Sequence, residues 1–208
     1  MANLITLSRL LLLFVVIYFA YQPASWWQMA NVALLIFVFV SDGLDGYVAR
    51  KRGETSVFGA MFDIAVDRIV ELSLWVAYLP LGLVPLWAPL VFVVRGSIVD
   101  AIRAKQAGES GKAPFEMMQH PVAKWLVAGR FMRGFYAAMK GIAFCWLLLI
   151  YPLSDLVPSF WAQWGAWLSL VGDVLIWIIV VLCIARGLPV ILEFMAEQDV
   201  IPTRSSDT

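Results

Sequence analysis

The sequence predicts an all-α integral membrane protein with six transmembrane helices and both termini cytoplasmic. Three observations lead there: a composition too apolar for a soluble domain, apolar stretches of span length along the chain, and cations confined to alternate connections. Of the 208 residues, 62% are hydrophobic and 14% charged, and the mean hydropathy is +0.84. Soluble domains carry about 25% charged residues. A globule of this size leaves too much surface facing water to hide such a composition. The net charge of zero gives no electrostatic footprint for nucleic acid, and none is expected as a partner. Cys145 and Cys183 lie inside apolar runs and read as packing residues. The first apolar run lacks a basic start and no small-residue cleavage site precedes Tyr21, so a cleaved signal peptide is not expected.

The apolar stretches are Leu4–Ala20, Trp27–Val40, Val57–Leu79, Pro85–Ile102, Val122–Ile150 and Phe160–Ala185. Each can cross a bilayer as a helix, the form that satisfies backbone polar groups within one segment. The connections Tyr21–Trp26, Pro80–Val84 and Tyr151–Ser159 contain no Lys or Arg. The alternate ones hold Arg50, Lys51 and Arg52, then Arg103, Lys105, Lys112 and Lys124, which the positive-inside rule places in the cytoplasm. Trp26, Trp27, Trp87, Tyr151, Trp161 and Trp164 gather at the other face as an interfacial belt. The whole chain, 1–208, reads as a single transmembrane domain with a loose polar tail over about 198–208.

Chemistry concentrates at the end of the second stretch. Ser41-Asp42-Gly43-Leu44-Asp45-Gly46-Tyr47-Val48-Ala49-Arg50 is followed by Gly59, Asp63 and Asp67. On a helix turning ~100° per residue, Asp42, Asp45, Gly46, Ala49 and Arg50 share one arc of ~140°. Gly59, Asp63 and Asp67 make a second single-faced stripe, and the short loop Lys51–Ser56 allows the two stripes to meet. Four converging carboxylates cannot all stay ionised without cations between them. All-oxygen ligands favour Mg²⁺, Mn²⁺ or Ca²⁺ over zinc, and a two-metal clamp suits in-line phosphoryl displacement. The glycines leave room for a nucleotide near the backbone, and Arg50 offers a planar fork to phosphate. The plainer alternative pairs these acids with Arg50, Lys51, Arg52 and Arg68 at a solvated helix end, which would not require one face to carry them all.

These residues resemble the signature of the CDP-alcohol phosphatidyltransferase family, D-x2-D-G-x2-A-R-x8-G-x3-D-x3-D. The match is ungapped at Asp42, Asp45, Gly46, Ala49, Arg50, Gly59, Asp63 and Asp67. The resemblance implies that Asp42, Asp45, Asp63 and Asp67 hold two divalent cations, Mg²⁺ or Mn²⁺. Gly46, Ala49, Arg50 and Gly59 would cradle the CDP group. Asp63 and Asp67 would be catalytic, with Asp67 the general base on the acceptor hydroxyl. It also implies a homodimer embedded among membrane lipids, its site facing the cytoplasm.

Family members differ in the alcohol they accept. In the fifth stretch Arg130, Arg133, Gly134, Ala137, Lys140 and Gly141 share one face, opposite Phe131, Phe135 and Met139. Arg130, Arg133 and Lys140, with Arg103, are therefore candidates for a phosphorylated acceptor. A plainer role for Lys140 is to snorkel or to pair with Asp173 or Asp100. Asn3, Thr6 and Arg9 resemble an N-terminal pattern of the glycerophosphate and inositol-phosphate branches, and Arg95 with Arg103 favours the former. No role is apparent for His120. The expected reaction is phosphatidyl transfer from CDP-diacylglycerol to an alcohol, best glycerol 3-phosphate, with release of CMP. Inositol phosphate, inositol or serine are alternative acceptors. A membrane cation transporter is the alternative of another class, but transport sites tend to lie at the midplane on broken helices.

Overall fold

The computed structural model describes residues 2–23, 26–52, 57–110 and 121–197, which form eight helices and, among the described residues, no strand. Helices α1 (Ala2–Ala20), α2 (Trp26–Arg52) and α3 (Val57–Tyr78) follow the first three apolar stretches. α2 continues past Val40 to Arg52, so the backbone of the acidic motif is helical as the single-faced spacing requires. α4 (Trp87–Ser110) likewise outlasts its apolar stretch.

The fifth stretch departs from the expected continuous helix. α5 (Pro121–Ala128) and α6 (Arg130–Ile150) are separated at Gly129. A Cβ on Gly129 would collide with the Trp125 carbonyl oxygen, so only a bare backbone closes there, and Gly129 N donates to that oxygen at 3.0 Å. The connection after α6 holds a single turn, α7 (Leu153–Leu156). α8 (Pro158–Glu197) has 40 residues, or ~60 Å of helix, and runs through Pro189 well beyond the expected end at Ala185. The tail over 198–208 lies outside the described residues.

The chain divides into two compact units, residues 1–86 with 140–176 and residues 87–139 with 177–208. In the first, α1 packs on both α2 and α3. Polar side chains tie these helices through backbone oxygens. Asn31 Nδ2 donates to Val16 O at 2.9 Å, Tyr21 Oη to Ala77 O at 2.7 Å, and Tyr78 Oη to Phe144 O at 3.0 Å. Trp75 and Tyr78 meet the Phe144 ring edge-on at 5.0 and 5.6 Å. Such side-chain bonds are worth more where no water competes, and they fix helix register. In the second unit Val99, Ile102, Val127 and Val190 form the core, and Trp87 packs on Trp177 at 4.6 Å.

The outer surfaces are apolar. Leu7, Leu11, Phe14 and Tyr18 lie exposed along one side of α1, and Trp177, Val181, Ile184 and Leu188 lie exposed on α8. Phe131–Leu156 and Pro158–Ala196 are long and apolar enough to cross a membrane, and only 39% and 33% of the 18-residue apolar window in each is buried. Water-facing surfaces rarely carry contiguous apolar patches of this extent. Among the described residues the protein is all-helical, and its apolar outer surfaces are consistent with a membrane protein.

Candidate functional site

In the first unit α3 sets Gly59, Asp63 and Asp67 at intervals of one turn, as the sequence predicts. The Asp63 carboxylate is 49% exposed and meets a cation from α1: Arg9 Nη2 lies 3.7 Å from Asp63 Oδ1, with the Arg9 side chain only 2% exposed. Asp67 is exposed and has no ion pair among the described residues. One turn further on comes Glu71, a buried carboxylate that the sequence reading passes over. Lys140 Nζ from α6 lies 3.2 Å from Glu71 Oε1, and Arg68 Nη1 donates to Glu71 Oε2 at 3.3 Å. Lys140 thus pairs with Glu71. The signal for Glu71 is present in the sequence, since Asp63, Asp67 and Glu71 continue one i, i+4 series.

The side chains of Asp42, Asp45, Gly46, Ala49 and Arg50 lie outside the described residues, although their backbone is part of α2. Both helices that carry the motif pack against α1. Among the described residues no three potential metal ligands gather, because α3 contributes only Asp63 and Asp67 of the quartet. Those two fit a hard divalent cation in chemistry and placement: they are oxygen donors one turn apart, and both carboxylates are open to an incoming ion.

A second constellation lies in the other unit. Arg186 of α8 is buried at 7% exposure, and its Nη2 donates to Val127 O at 3.2 Å. Its guanidinium sits 5.2 Å from the Tyr136 ring centre, a cation–π contact. Arg95 of α4 and Arg133 of α6 lie close enough for their charges to act on it. Nε and Nη1 of Arg186 and Nε of Arg95 are buried and make no hydrogen bond among the described residues. Gly187 makes room for this gathering, since a Cβ there would come within 2.6 Å of Arg95 Cγ. Buried guanidinium donors with no partner invite an anion.

Of the cations expected to hold an acceptor, Arg133 is in this cluster. The side chains of Arg130 and Arg103 lie outside the described residues, as does His120. Arg186 is the residue that sequence reasoning missed, because a lone arginine after an apolar run reads as an ordinary helix-end cation. Arg95 also forms part of the wall of an apolar groove of about 460 Å³ between α4 and α8, lined by Trp87, Leu90, Val94, Ile184 and Leu188.

Residues 1–164 match the family model for CDP-alcohol phosphatidyltransferase. A CDP-diacylglycerol–glycerol-3-phosphate 3-phosphatidyltransferase of Pseudomonas fluorescens is 34% identical over 103 residues, 49% of this chain and 53% of the relative. A Mycobacterium tuberculosis protein named as a candidate cardiolipin synthase is 33% identical over 99 residues, 47% of this chain and 46% of the relative. The Bacillus subtilis glycerol-3-phosphate 3-phosphatidyltransferase is 25% identical over 135 residues, 59% of this chain and 69% of the relative. The chain spans about half the length of the first two of these relatives.

Proposed function

The chain belongs to the CDP-alcohol phosphatidyltransferase family, and from that premise we propose that it transfers a phosphatidyl group from CDP-diacylglycerol to glycerol 3-phosphate. The products are phosphatidylglycerophosphate and CMP. The acceptor choice is carried by one observation, the buried Arg186 with unspent donors beside Arg95 and Arg133. A phosphorylated alcohol supplies the dianion that such a cluster can hold, whereas inositol or serine does not. Two of the relatives described above bear the glycerol 3-phosphate name.

In this reading Asp42, Asp45, Asp63 and Asp67 hold two divalent cations, Mg²⁺ or Mn²⁺. When bound, these neutralise the diphosphate and the departing CMP. Gly46, Ala49, Arg50 and Gly59 hold the CDP group. Asp67 is suited to be the general base: Asp63 and Glu71 on either side each have a cation, while Asp67 has none among the described residues. It takes the proton of the acceptor hydroxyl. The hydroxyl oxygen then bonds to the phosphorus that carries diacylglycerol, and the bond from that phosphorus to the CMP oxygen breaks. Arg133, Arg186 and Arg95, with Arg130 and Arg103, hold the acceptor phosphate, so positioning and charge complementarity carry the rate. The groove between α4 and α8 suits an acyl chain, its polar contribution being the Arg95 wall.

The same reading treats residues 1–208 as one transmembrane domain of six spans, with both termini and the site on the cytoplasmic face and with a homodimer as the working form. The loop cations support that orientation. The deciding experiment incubates purified protein with CDP-diacylglycerol, Mg²⁺ and a panel of glycerol 3-phosphate, inositol phosphate, inositol, serine and phosphatidylglycerol, and identifies the lipid formed. Phosphatidylglycerophosphate is expected. Cardiolipin from phosphatidylglycerol, with glycerol 3-phosphate inert, would overturn the acceptor assignment and leave the family chemistry intact.

A further inference from the structure

Arg9 is a charge in an unusual place. Around it α1 is apolar, with Leu7, Leu10, Leu11, Leu12 and Leu13 as neighbours, yet the Arg9 residue is 1% exposed. Thr6, one turn earlier, is also buried at 4%, so α1 turns a narrow polar edge inward and an apolar side outward. Guanidinium groups are almost never buried without a partner. Here the Arg9 Nη2 stands 3.7 Å from Asp63 Oδ1, at ion-pair rather than hydrogen-bond distance.

We propose that Arg9 is a positioning residue for the acidic quartet, a built-in counter-ion that holds Asp63 and offsets the mutual repulsion of the carboxylates whenever the divalent cations are absent. The proposal rests on the metal-binding reading of the quartet given above. Three features favour it over simpler roles. Arg9 is too buried to serve as an open substrate ligand, while the Asp63 carboxylate it faces remains half exposed on its other side. Arg68 and Lys140, the other cations near the stripe, are bonded to Glu71, while Arg9 is placed on Asp63. Finally, Arg9 sits on a helix that packs against α3, the element that carries Asp63 and Asp67.

A counter-ion and a bound metal compensate the same negative charge, and this sets the sign of the test. Without Arg9 the metal-free site is more repulsive, and a divalent cation relieves more of that repulsion. The experiment follows thermal unfolding of the full chain in detergent, in EDTA and in saturating Mg²⁺, for wild type, Arg9→Gln, Arg9→Lys, Asp63→Asn and the Arg9→Gln/Asp63→Asn double variant. Arg9→Gln is expected to lower the melting temperature in EDTA by roughly 2–4 °C, and Mg²⁺ should restore at least half of the loss. Arg9→Lys should lie between Arg9→Gln and wild type. The double variant in EDTA should be no less stable than either single variant, because neither charge is then left alone. An equal loss for Arg9→Gln with and without Mg²⁺ would make Arg9 a packing residue and overturn the proposal. A wild type that Mg²⁺ does not stabilise at all would remove the metal-binding reading itself, and the proposal with it. Should Arg9→Gln fail to fold, the Arg9→Lys and double variants decide alone: a double variant less stable in EDTA than Asp63→Asn refutes the pairing.

Discussion

The two charged regions of the molecule are built on opposite plans. In the unit that carries α1 to α3, charges come in opposed pairs: Arg9 with Asp63, and Glu71 with both Lys140 and Arg68. In the unit that carries α4 and α5, Arg95 and Arg133 each lie close enough to act on Arg186, and the contacts shown for Arg186 are a carbonyl and a ring. A paired network needs nothing from outside and rigidifies its helices. A cluster of like charges in an apolar setting is unfavourable on its own and becomes favourable when an anion arrives. The first plan suits groups that must stay in place while ions and nucleotide come and go. The second suits a site made for one phosphorylated molecule.

The largest effect should come from Asp42 and Asp67, two of the acids proposed to hold the metal ions. Asp42→Asn or Asp67→Asn should reduce turnover to background while leaving the detergent-extracted protein folded, since each removes a charged ligand and Asp67 also the proton acceptor. EDTA should silence the wild type, and Mg²⁺ or Mn²⁺ should restore it. Full turnover in chelator would show that both regions serve charge balance alone.

Next in size is the arginine cluster. Arg186→Ala or Arg133→Ala should raise KM for glycerol 3-phosphate about ten- to a hundred-fold, the equivalent of ~1.5–3 kcal/mol for a charge-assisted hydrogen bond. KM for CDP-diacylglycerol should hold. Arg186→Lys should recover only part, because a point charge cannot reproduce the fork. Loss confined to CDP-diacylglycerol would reassign the cluster to the diphosphate.

Lys140 tests the border of the comparison. It shares a helical face with Arg133 in the sequence, yet the structure gives it Glu71 as a partner. Lys140→Met should cost on the order of 3 kcal/mol of stability by leaving Glu71 buried beside Arg68 alone. Glu71→Gln in the same protein should return most of it, and KM for the acceptor should move little in either variant. A Lys140→Met variant of normal stability and poor acceptor affinity would place Lys140 in the second region instead.

These residues also show what the sequence could and could not disclose. The quartet was legible because its spacing is local: one helical period places Asp42 with Asp45 and Asp63 with Asp67. The helical class followed from hydropathy for the same reason. Pairing across helices is another matter. Lys140 and Glu71 are far apart in the chain, and periodicity says which face a residue occupies without saying which helix covers it. Asp173 and Asp100 were as plausible for Lys140 as Glu71. Arg186 was hidden differently: it follows the last apolar run, where a cation is ordinary, and its meaning emerges only with Arg95, Arg133 and Tyr136 around it. The extent of α8 was hidden too, because Gly187 and Pro189 suggest an ending that the helix does not make.

The finest test of the contrast is at Gly187. Alanine there gains up to ~1 kcal/mol of helix propensity, and the atoms its methyl would meet are the Arg95 Cγ, Nε and Cδ, at 2.6, 2.6 and 3.1 Å. These belong to a flexible side chain rather than to backbone, so the overlap is relieved when Arg95 swings aside, and the helix gain offsets what that costs. The melting temperature of Gly187→Ala should therefore stay within ~2 °C of wild type. Its acceptor affinity should not stay constant, because the displaced guanidinium no longer points with Arg186 and Arg133 toward one anion. A rise in KM for glycerol 3-phosphate of about three- to tenfold is expected, smaller than for Arg186→Ala because only one of several donors moves. KM for CDP-diacylglycerol should change less than that. An Arg95→Ala variant should match Gly187→Ala in acceptor KM, and combining the two should add nothing, since both remove the same contact. If Gly187→Ala instead unfolds the protein and leaves acceptor KM untouched, Gly187 is there for close packing of α8, and Arg95 belongs to the wall of the apolar groove rather than to the anion site.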